Sequence, residues 1–420
     1  MVHQTMPAST PKAPKASSRM THIFLSFARF TAAGHRTRLF VAGAILGSLL
    51  GCTSVPLPPL PPVAGTSPSG PPAAVATLPP DDPAGVLQRG RSRWVPARWA
   101  DLPGWDDDRS AELWPALLRG CERPAPGWAG VCTQARGAGL ELLSDAATRA
   151  WLAQRLQPYR VESPDGTSEG LITGYFEPLI EASRTPRPGY RVPLFAPPAD
   201  LATRRPYWTR QQLDSLLAAQ QSLRGRELAY VADPLDALIL QIQGSGRLML
   251  SDDDGRRRQV RMAFAGHNDL PYRSVGRWLI EQGELRPDQA SWPGIKAWAR
   301  QNPRRINELL WSNPRVVFFR EEALPDPQLG PRGAQAVPLT PGRSIAVDPQ
   351  SIPYGTPVWL DTTEPLASTP LRRLVMAQDT GSAITGAVRA DYFWGWGEAA
   401  EAQAGRMKQP LRMWVLVPRS

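Results

Sequence analysis

Three aspartates near the C-terminus stand where short apolar strands run out into turns, and an acid so placed can move protons. The first run reads Ser344-Ile-Ala-Val-Asp348-Pro-Gln-Ser-Ile-Pro-Tyr-Gly-Thr-Pro-Val-Trp-Leu360. A second, Leu374-Val-Met-Ala-Gln-Asp379-Thr-Gly-Ser-Ala-Ile-Thr-Gly386, leads into Ala387-Val-Arg-Ala-Asp391-Tyr-Phe-Trp-Gly395. Gly and Pro make the turns, so a small β-barrel can draw such acids into one region without a helix. Asp391 is followed by Tyr392, Phe393 and Trp394. Aromatic neighbours strip water from a carboxyl and raise its pKa, as a general acid requires. Asp348, directly before Pro349, is expected to be structural, its side chain bonding turn amides. From the residues alone, each acid is also explained as simply closing a turn.

Several polar residues elsewhere suit a sugar. Gln241 and Gln243 are read as sharing one face of a strand over 237–243, opposite Leu240 and Ile242. Ser245 follows in a Gly-Ser-Gly turn; no helix with a Lys comes after it, which argues against a phosphate loop. Tyr175 and Glu177 close a strand before Pro178, and Glu177 is the candidate second carboxylate if the chemistry is hydrolysis. Trp394 and Trp396 could stack on pyranose faces, whereas most of the fifteen tryptophans are expected in packing. His267, before Asn268-Asp269, is expected to make a structural hydrogen bond.

The aspartate run resembles the three-aspartate domain of the membrane-bound lytic murein transglycosylase A family. Further stretches resemble that family's other signatures, in its order: Leu171-Ile-Thr-Gly-Tyr-Phe-Glu-Pro178, Leu240-Gln-Ile-Gln-Gly-Ser-Gly-Arg247, Ala265-Gly-His-Asn-Asp-Leu-Pro-Tyr-Arg-Ser-Val-Gly276 and Asn313-Pro-Arg-Val-Val-Phe-Phe319. The likeness covers 94–418. It implies a mainly β protein with short helices: a double-psi β-barrel over 93–180 and 322–420, an inserted β-domain over 181–321, and a glycan cleft between them. It implies a lytic exotransglycosylase that cuts peptidoglycan glycan strands and leaves 1,6-anhydromuramic ends, with cell-wall synthesis or division complexes as partners to test. Asp391 would be the single general acid and base, Asp379 its support, and Tyr175, Glu177, Gln241, Gln243, Ser245 and Trp394 the substrate contacts. Thr385 stands where the family usually has Lys, and Glu177 also departs from its common residue. Two alternatives stay open: an inverting peptidoglycan hydrolase, and a wall-binding lipoprotein that does not cut.

The remainder of the chain fits an envelope address. Residues 1–51 hold six Lys/Arg and no acid, ending in an apolar stretch and Gly51-Cys52. A basic segment, a short apolar core and a small residue form a secretory signal, too short for a stable span. Leu49-Leu50-Gly51-Cys52 resembles a bacterial lipobox, making Cys52 the lipidated N-terminus; Thr53 after it resembles lipoproteins sent to the outer membrane. Residues 52–92 are rich in Pro, Ala, Gly and Ser and read as a tether, with order beginning near Trp94. The formal charge of +10 falls to +4 once those six leave 42 Lys/Arg against 38 Asp/Glu. Without a basic run interleaved with aromatics, a nucleic-acid partner is not expected. Cys121 and Cys132 are either a disulfide, which an oxidising compartment favours, or two separate buried thiols. Past the signal only His267 remains of four histidines, so neither a metal nor a cofactor is expected.

Helices are expected over 144–157, from Thr209 with a Gln212 capping box and Leu213, Leu216 and Leu217 inward, and over 274–282, 295–301 and 304–311. Strands are expected over 171–175, 237–243, 258–264, 316–319, 357–360, 374–377 and 411–417.

Overall fold

The computed structural model describes residues 85–139, 144–252 and 254–419. The expected signal, Cys52 and most of the tether lie outside them. The strands are β1 Leu87–Arg89, β2 Ser92–Pro96, β3 Leu156–Glu162, β4 Gly170–Glu177, β5 Leu179–Ser183, β6 Val192–Phe195, β7 Glu227–Val231 and β8 Gly246–Ser251. They continue as β9 Arg257–His267, β10 Val317–Ala323, β11 Ser344–Val347, β12 Pro357–Thr363, β13 Pro370–Asp379, β14 Arg389–Trp396 and β15 Lys408–Pro418.

Two sheets result, and the architecture is mainly β with two domains. The first runs β1-β2-β3-β15-β12-β13-β11-β14-β4, and an added β15–β4 pairing closes its last six strands into a barrel. Strand β15 is long enough to do this: Lys408–Leu411 face β4, while Arg412–Val415 face β12. Side chains alternate along a strand, so one set points inward; Ile172, Ile345, Val358, Val375 and Val415 are fully buried together there. The second sheet, β10-β9-β8-β5-β7-β6, is antiparallel except for β5 against β8. It spans Leu179 to Ala323, interrupting the barrel between β4 and β11.

Beside the barrel, the helices Trp114–Gly120, Ala129–Gly137 and Asp145–Arg155 pack a tryptophan-rich core with Trp99, Trp105 and Trp359. Cys121 and Cys132 form a disulfide there, 5.3 Å between Cα atoms. Ser144 caps the third helix by accepting from the Ala147 amide.

The expected elements at 171–175, 258–264, 316–319, 357–360, 374–377 and 411–417 are strands, and those at 274–282, 295–301 and 304–311 contain helices. Three expectations need correction. Residues 237–243 are not a strand: Pro234–Gln243 is an α-helix, capped by the Asp233 carboxylate on the Leu235 amide, with Pro at its start. Gly244 ends it at φ 80°, a left-handed conformation that suits Gly. The Thr209 capping box forms, but that helix stops at Ser215 because Leu216 turns extended. Leu213 is buried, whereas Leu216 and Leu217 are exposed. Finally, structure begins inside the expected tether. Leu87 pairs with Trp94 across a hairpin, and the Arg89 guanidinium lies 4.5 Å from the Trp94 ring.

Candidate active site

The barrel's register sets the acids in a row. In β11, Ala346 lies opposite Asp379 of β13 on one side and Asp391 of β14 on the other. Asp391 in turn lies opposite Thr173 of the parallel strand β4. Strands sit about 4.8 Å apart, so the two aspartate Cα atoms are roughly 10 Å apart with only an alanine methyl between their strands. Both acids line one cavity of about 240 Å³.

Asp391 keeps few partners. Its Oδ1 accepts from the Thr173 hydroxyl at 2.6 Å, and that hydroxyl accepts from Arg389 Nη2 at 2.9 Å. Arg389 thus holds the Thr173 hydroxyl in place as it donates to Asp391. No hydrogen bond reaches Oδ2 among the described residues. Burial raises the Asp391 pKa to about 6; Thr173 and Arg389 pull it down and Asp379 pushes it up. Asp379 is bonded more fully. Its Oδ1 accepts from the Ala334 amide at 3.0 Å and its Oδ2 from the Tyr175 hydroxyl at 3.0 Å. Burial raises it to about 6 as well, against the pull of the Thr380 and Ala334 amides and Tyr175. Burial, then Asp379 and Asp391, push the Tyr175 phenol well above its usual range, so it stays a neutral donor. More donors face Asp379 than Asp391, and Asp379 is among the groups that raise the Asp391 pKa.

The second domain supplies the facing wall. Gln241 and Gln243 come from the end of the helix Pro234–Gln243, with Asn313 and Arg315 from the loop before β10. Two residues apart on a helix, the glutamines do not share a face as they would on a strand; both reach the cavity because the helix ends at its rim. Of the expected contacts, Tyr175, Gln241 and Gln243 line the cavity, while Glu177, Ser245 and Trp394 do not. Glu177 is fully buried between Arg247 Nε at 3.0 Å and Arg261 Nε at 2.7 Å. These arginines also bond the Pro327 and Leu329 carbonyls, and Arg247 stacks 3.6 Å from Trp396, so Glu177 locks the junction between the domains. Ser245 is buried at the helix end. Trp394 packs edge-on against Tyr392 and donates to Met407 sulfur. Asp348 accepts from the Gln350 and Gly386 amides and pairs with Arg91, outside the cavity. His267 Nδ1 accepts from the Asp269 amide, also away from the acids.

Thr173, Arg389, Asn313 and Arg315 were not singled out in the sequence. Thr173 was within reach: it sits two residues from Tyr175 on the same strand, hence on the same face.

Two buried carboxyls, both raised towards neutrality, on one polar cavity are the arrangement that acid–base chemistry needs. Family models match the chain as the MltA specific insert domain over residues 171–320 and the 3D domain over 343–417. The Vibrio cholerae membrane-bound lytic murein transglycosylase A is 31% identical over 65% of this chain and 71% of its own. Among solved structures, the lytic transglycosylase LtgG of Burkholderia pseudomallei is 47% identical with a TM-score of 0.57, covering 80% of this chain and 100% of that one. MltA from Neisseria gonorrhoeae is 31% identical with a TM-score of 0.68, covering 80% and 96%. The chain belongs to the membrane-bound lytic murein transglycosylase A family. It is therefore an enzyme, a peptidoglycan-cleaving lyase.

Proposed function

We propose that this enzyme cleaves the β-1,4 bond between N-acetylmuramic acid and N-acetylglucosamine, with Asp391 as sole general acid and base and Asp379 as supporting carboxylate. Asp391 gives its proton to the glycosidic oxygen as the bond to the muramyl C1 breaks. As a carboxylate, it then takes the proton of the muramyl C6 hydroxyl, whose oxygen bonds C1 and closes a 1,6-anhydro ring. The proton count balances and no water is consumed. Holding the nucleophile within the same sugar adds a proximity advantage. One observation carries this reading: Asp391 is fixed through one oxygen by Thr173, while its other oxygen is unbonded in the cavity with a pKa near 6.

The hydrolase alternative loses its assigned base, because Glu177 is held between two arginines at the domain junction. A wall-binding protein that does not cut would have no use for an acid raised towards neutrality. Product chemistry tests the reading. Digestion of purified sacculi is expected to give muropeptides that lack the mass of one water and resist borohydride, since an anhydro ring has no hemiacetal. Reducible muramic ends as the main primary product would overturn it.

The lipobox-like Leu49-Leu50-Gly51-Cys52 supports triacylation of Cys52, and Thr53 supports delivery to the outer membrane facing the periplasm. The relatives' names describe membrane-bound proteins, and no helix among the described residues is long and apolar enough to span. Several acyl chains hold firmly where one does not. Cys52→Ala is expected to move the protein to the soluble periplasmic fraction with catalysis intact; recovery with the inner membrane in the unaltered protein would overturn the address.

A further inference from the structure

On the second-domain wall, Gln241, Gln243, Asn313 and Arg315 bring side-chain donors to the cavity. Gln241 Oε1 accepts from Arg210 Nη2 at 2.8 Å and from the Val317 amide at 3.4 Å. Gln243 Oε1 accepts from the Phe176 amide at 3.0 Å. Asn313 Oδ1 accepts from the Arg273 and Arg315 amides, both at 3.2 Å. An amide NH2 cannot accept from those groups, so the partners dictate which end of each carboxamide is which. All three nitrogens are left without a hydrogen-bond partner among the described residues, on side chains lining the cavity.

Arg315 stands beside them. Among the described residues its guanidinium makes one long bond, Nη1 to the Leu270 carbonyl at 3.4 Å, and no carboxylate lies within ion-pair distance. The acid that acts on it, Asp269, is paired with Arg205 at 3.4 Å. A half-buried guanidinium in a cavity with most of its fork unused is costly unless a ligand fills it. Planar, forked donors match a carboxylate, while single carboxamide nitrogens match acetamido carbonyls.

We propose that Arg315 binds a carboxylate carried by the muramyl unit, with Gln241, Gln243 and Asn313 taking neighbouring carbonyls, and that this contact sets which of the two alternating glycosidic bonds meets Asp391. The proposal rests on the function given above and adds its specificity. Glucosamine units carry no carboxylate, so a strand slipped by one sugar would leave Arg315 unfilled and present the wrong bond. The carboxylate is either the lactyl group of a stem-free muramyl unit or one on its peptide stem.

The test measures binding by calorimetry to the Asp391→Asn protein, which cannot turn substrate over. Three probes are used: an N-acetylglucosamine hexamer, a stem-free muramyl glycan and a stem-bearing one. Carboxylate-bearing glycans are expected to bind about 10–100-fold more tightly than the neutral hexamer, the range of a hydrogen-bonded charge. Arg315→Met in this background is expected to erase that ratio while the hexamer is still bound, and Arg315→Lys to restore part of it. Should Arg315→Met not fold, Arg315→Gln is read the same way. Preference for the stem-free glycan assigns the lactyl carboxylate; preference for the stem-bearing one alone assigns the stem. An unchanged ratio, or equal weakening of all three probes, overturns the proposal. Failure of the catalytic reading would show elsewhere, as reducible ends from sacculi digested with Arg315 intact.

Discussion

The two walls of the cavity work by different physics. The barrel wall holds groups that titrate: Asp379 and Asp391 sit on either side of Ala346 in one row of the sheet, and burial lifts both towards neutrality. The second-domain wall holds groups that do not change charge, carboxamides whose oxygens are already bonded and a guanidinium. Proton transfer needs a group poised between two states and held by a rigid register. Recognition needs donors aimed in advance, which a helix end and a loop can supply. Glu177, three strand positions beyond Gly174, shows what separates the two roles. It is almost fully buried, but two arginines surround it, so it serves as a rivet.

The sharpest way to break this division is to remove the proton. Asp391→Asn keeps size and can still accept from Thr173, but it cannot act as an acid. Turnover on sacculi is expected to fall about 10²–10⁴-fold with glycan binding retained. Activity near that of the unaltered enzyme would move the chemistry away from the barrel wall.

Glu177 offers the converse test. Glu177→Ala strands two buried guanidinium groups at the junction, and breaking such a pair costs about 3–5 kcal/mol. Denaturant unfolding is expected to show that loss, while protein that remains folded keeps its pH–rate profile. A profile that loses a limb would instead make Glu177 a participant in the reaction.

The barrel wall was largely legible in the sequence and the facing wall was not, for a physical reason. Along the barrel strands short apolar runs are bounded by Gly and Pro turns, and an acid ends the run at Asp379; register then completes the row through Ala346. The run Leu235-Asp-Ala-Leu-Ile-Leu-Gln-Ile-Gln243 is apolar nearly all round, because the helix is buried on several sides. Its final residues alternate and mimic a strand. The punctuation was more informative than the pattern: Asp233 and Pro234 before it and Gly244 after it are helix start and stop signals. Aromatic surface serves packing and sugar stacking equally, so the residue type at Trp394 does not say which; in the fold it lies against Tyr392 and Met407 and does not line the cavity. Arg315 gives no local signal, since what marks it is the absence of a carboxylate partner in space.

Asp379→Asn separates the two acids. Its charge raises the pKa of Asp391, so removing it is expected to lower that pKa and draw the alkaline limb of the pH–rate profile to lower pH. The acid limb, set by ionisation of Asp379, should flatten. A decrease in turnover smaller than for Asp391→Asn is expected. Unmoved limbs would mean that the two carboxyls do not sense each other, and the row across Ala346 would then be only structural.

The smallest effect is one of stability, and it has the opposite sign to the loss of activity. The Asp391 pKa is about 6 in the folded chain against an ordinary value of 3.8. Between those values the folded state holds a proton that the unfolded state has released. Stability therefore falls as pH rises through that window, and the cost of burying the charge is complete above about pH 6. Asn carries no charge at any pH, so Asp391→Asn is expected to be more stable than the unaltered protein at pH 7. With the cavity admitting water, the gain is about 1–3 kcal/mol, bounded by the size of the shift. It should vanish below about pH 3, where both states of the aspartate are protonated. Paired unfolding curves at pH 7 and about pH 3 measure it. An equal difference at both pH values would mean that the gain comes from packing, and that the barrel wall is not strained by its own charge.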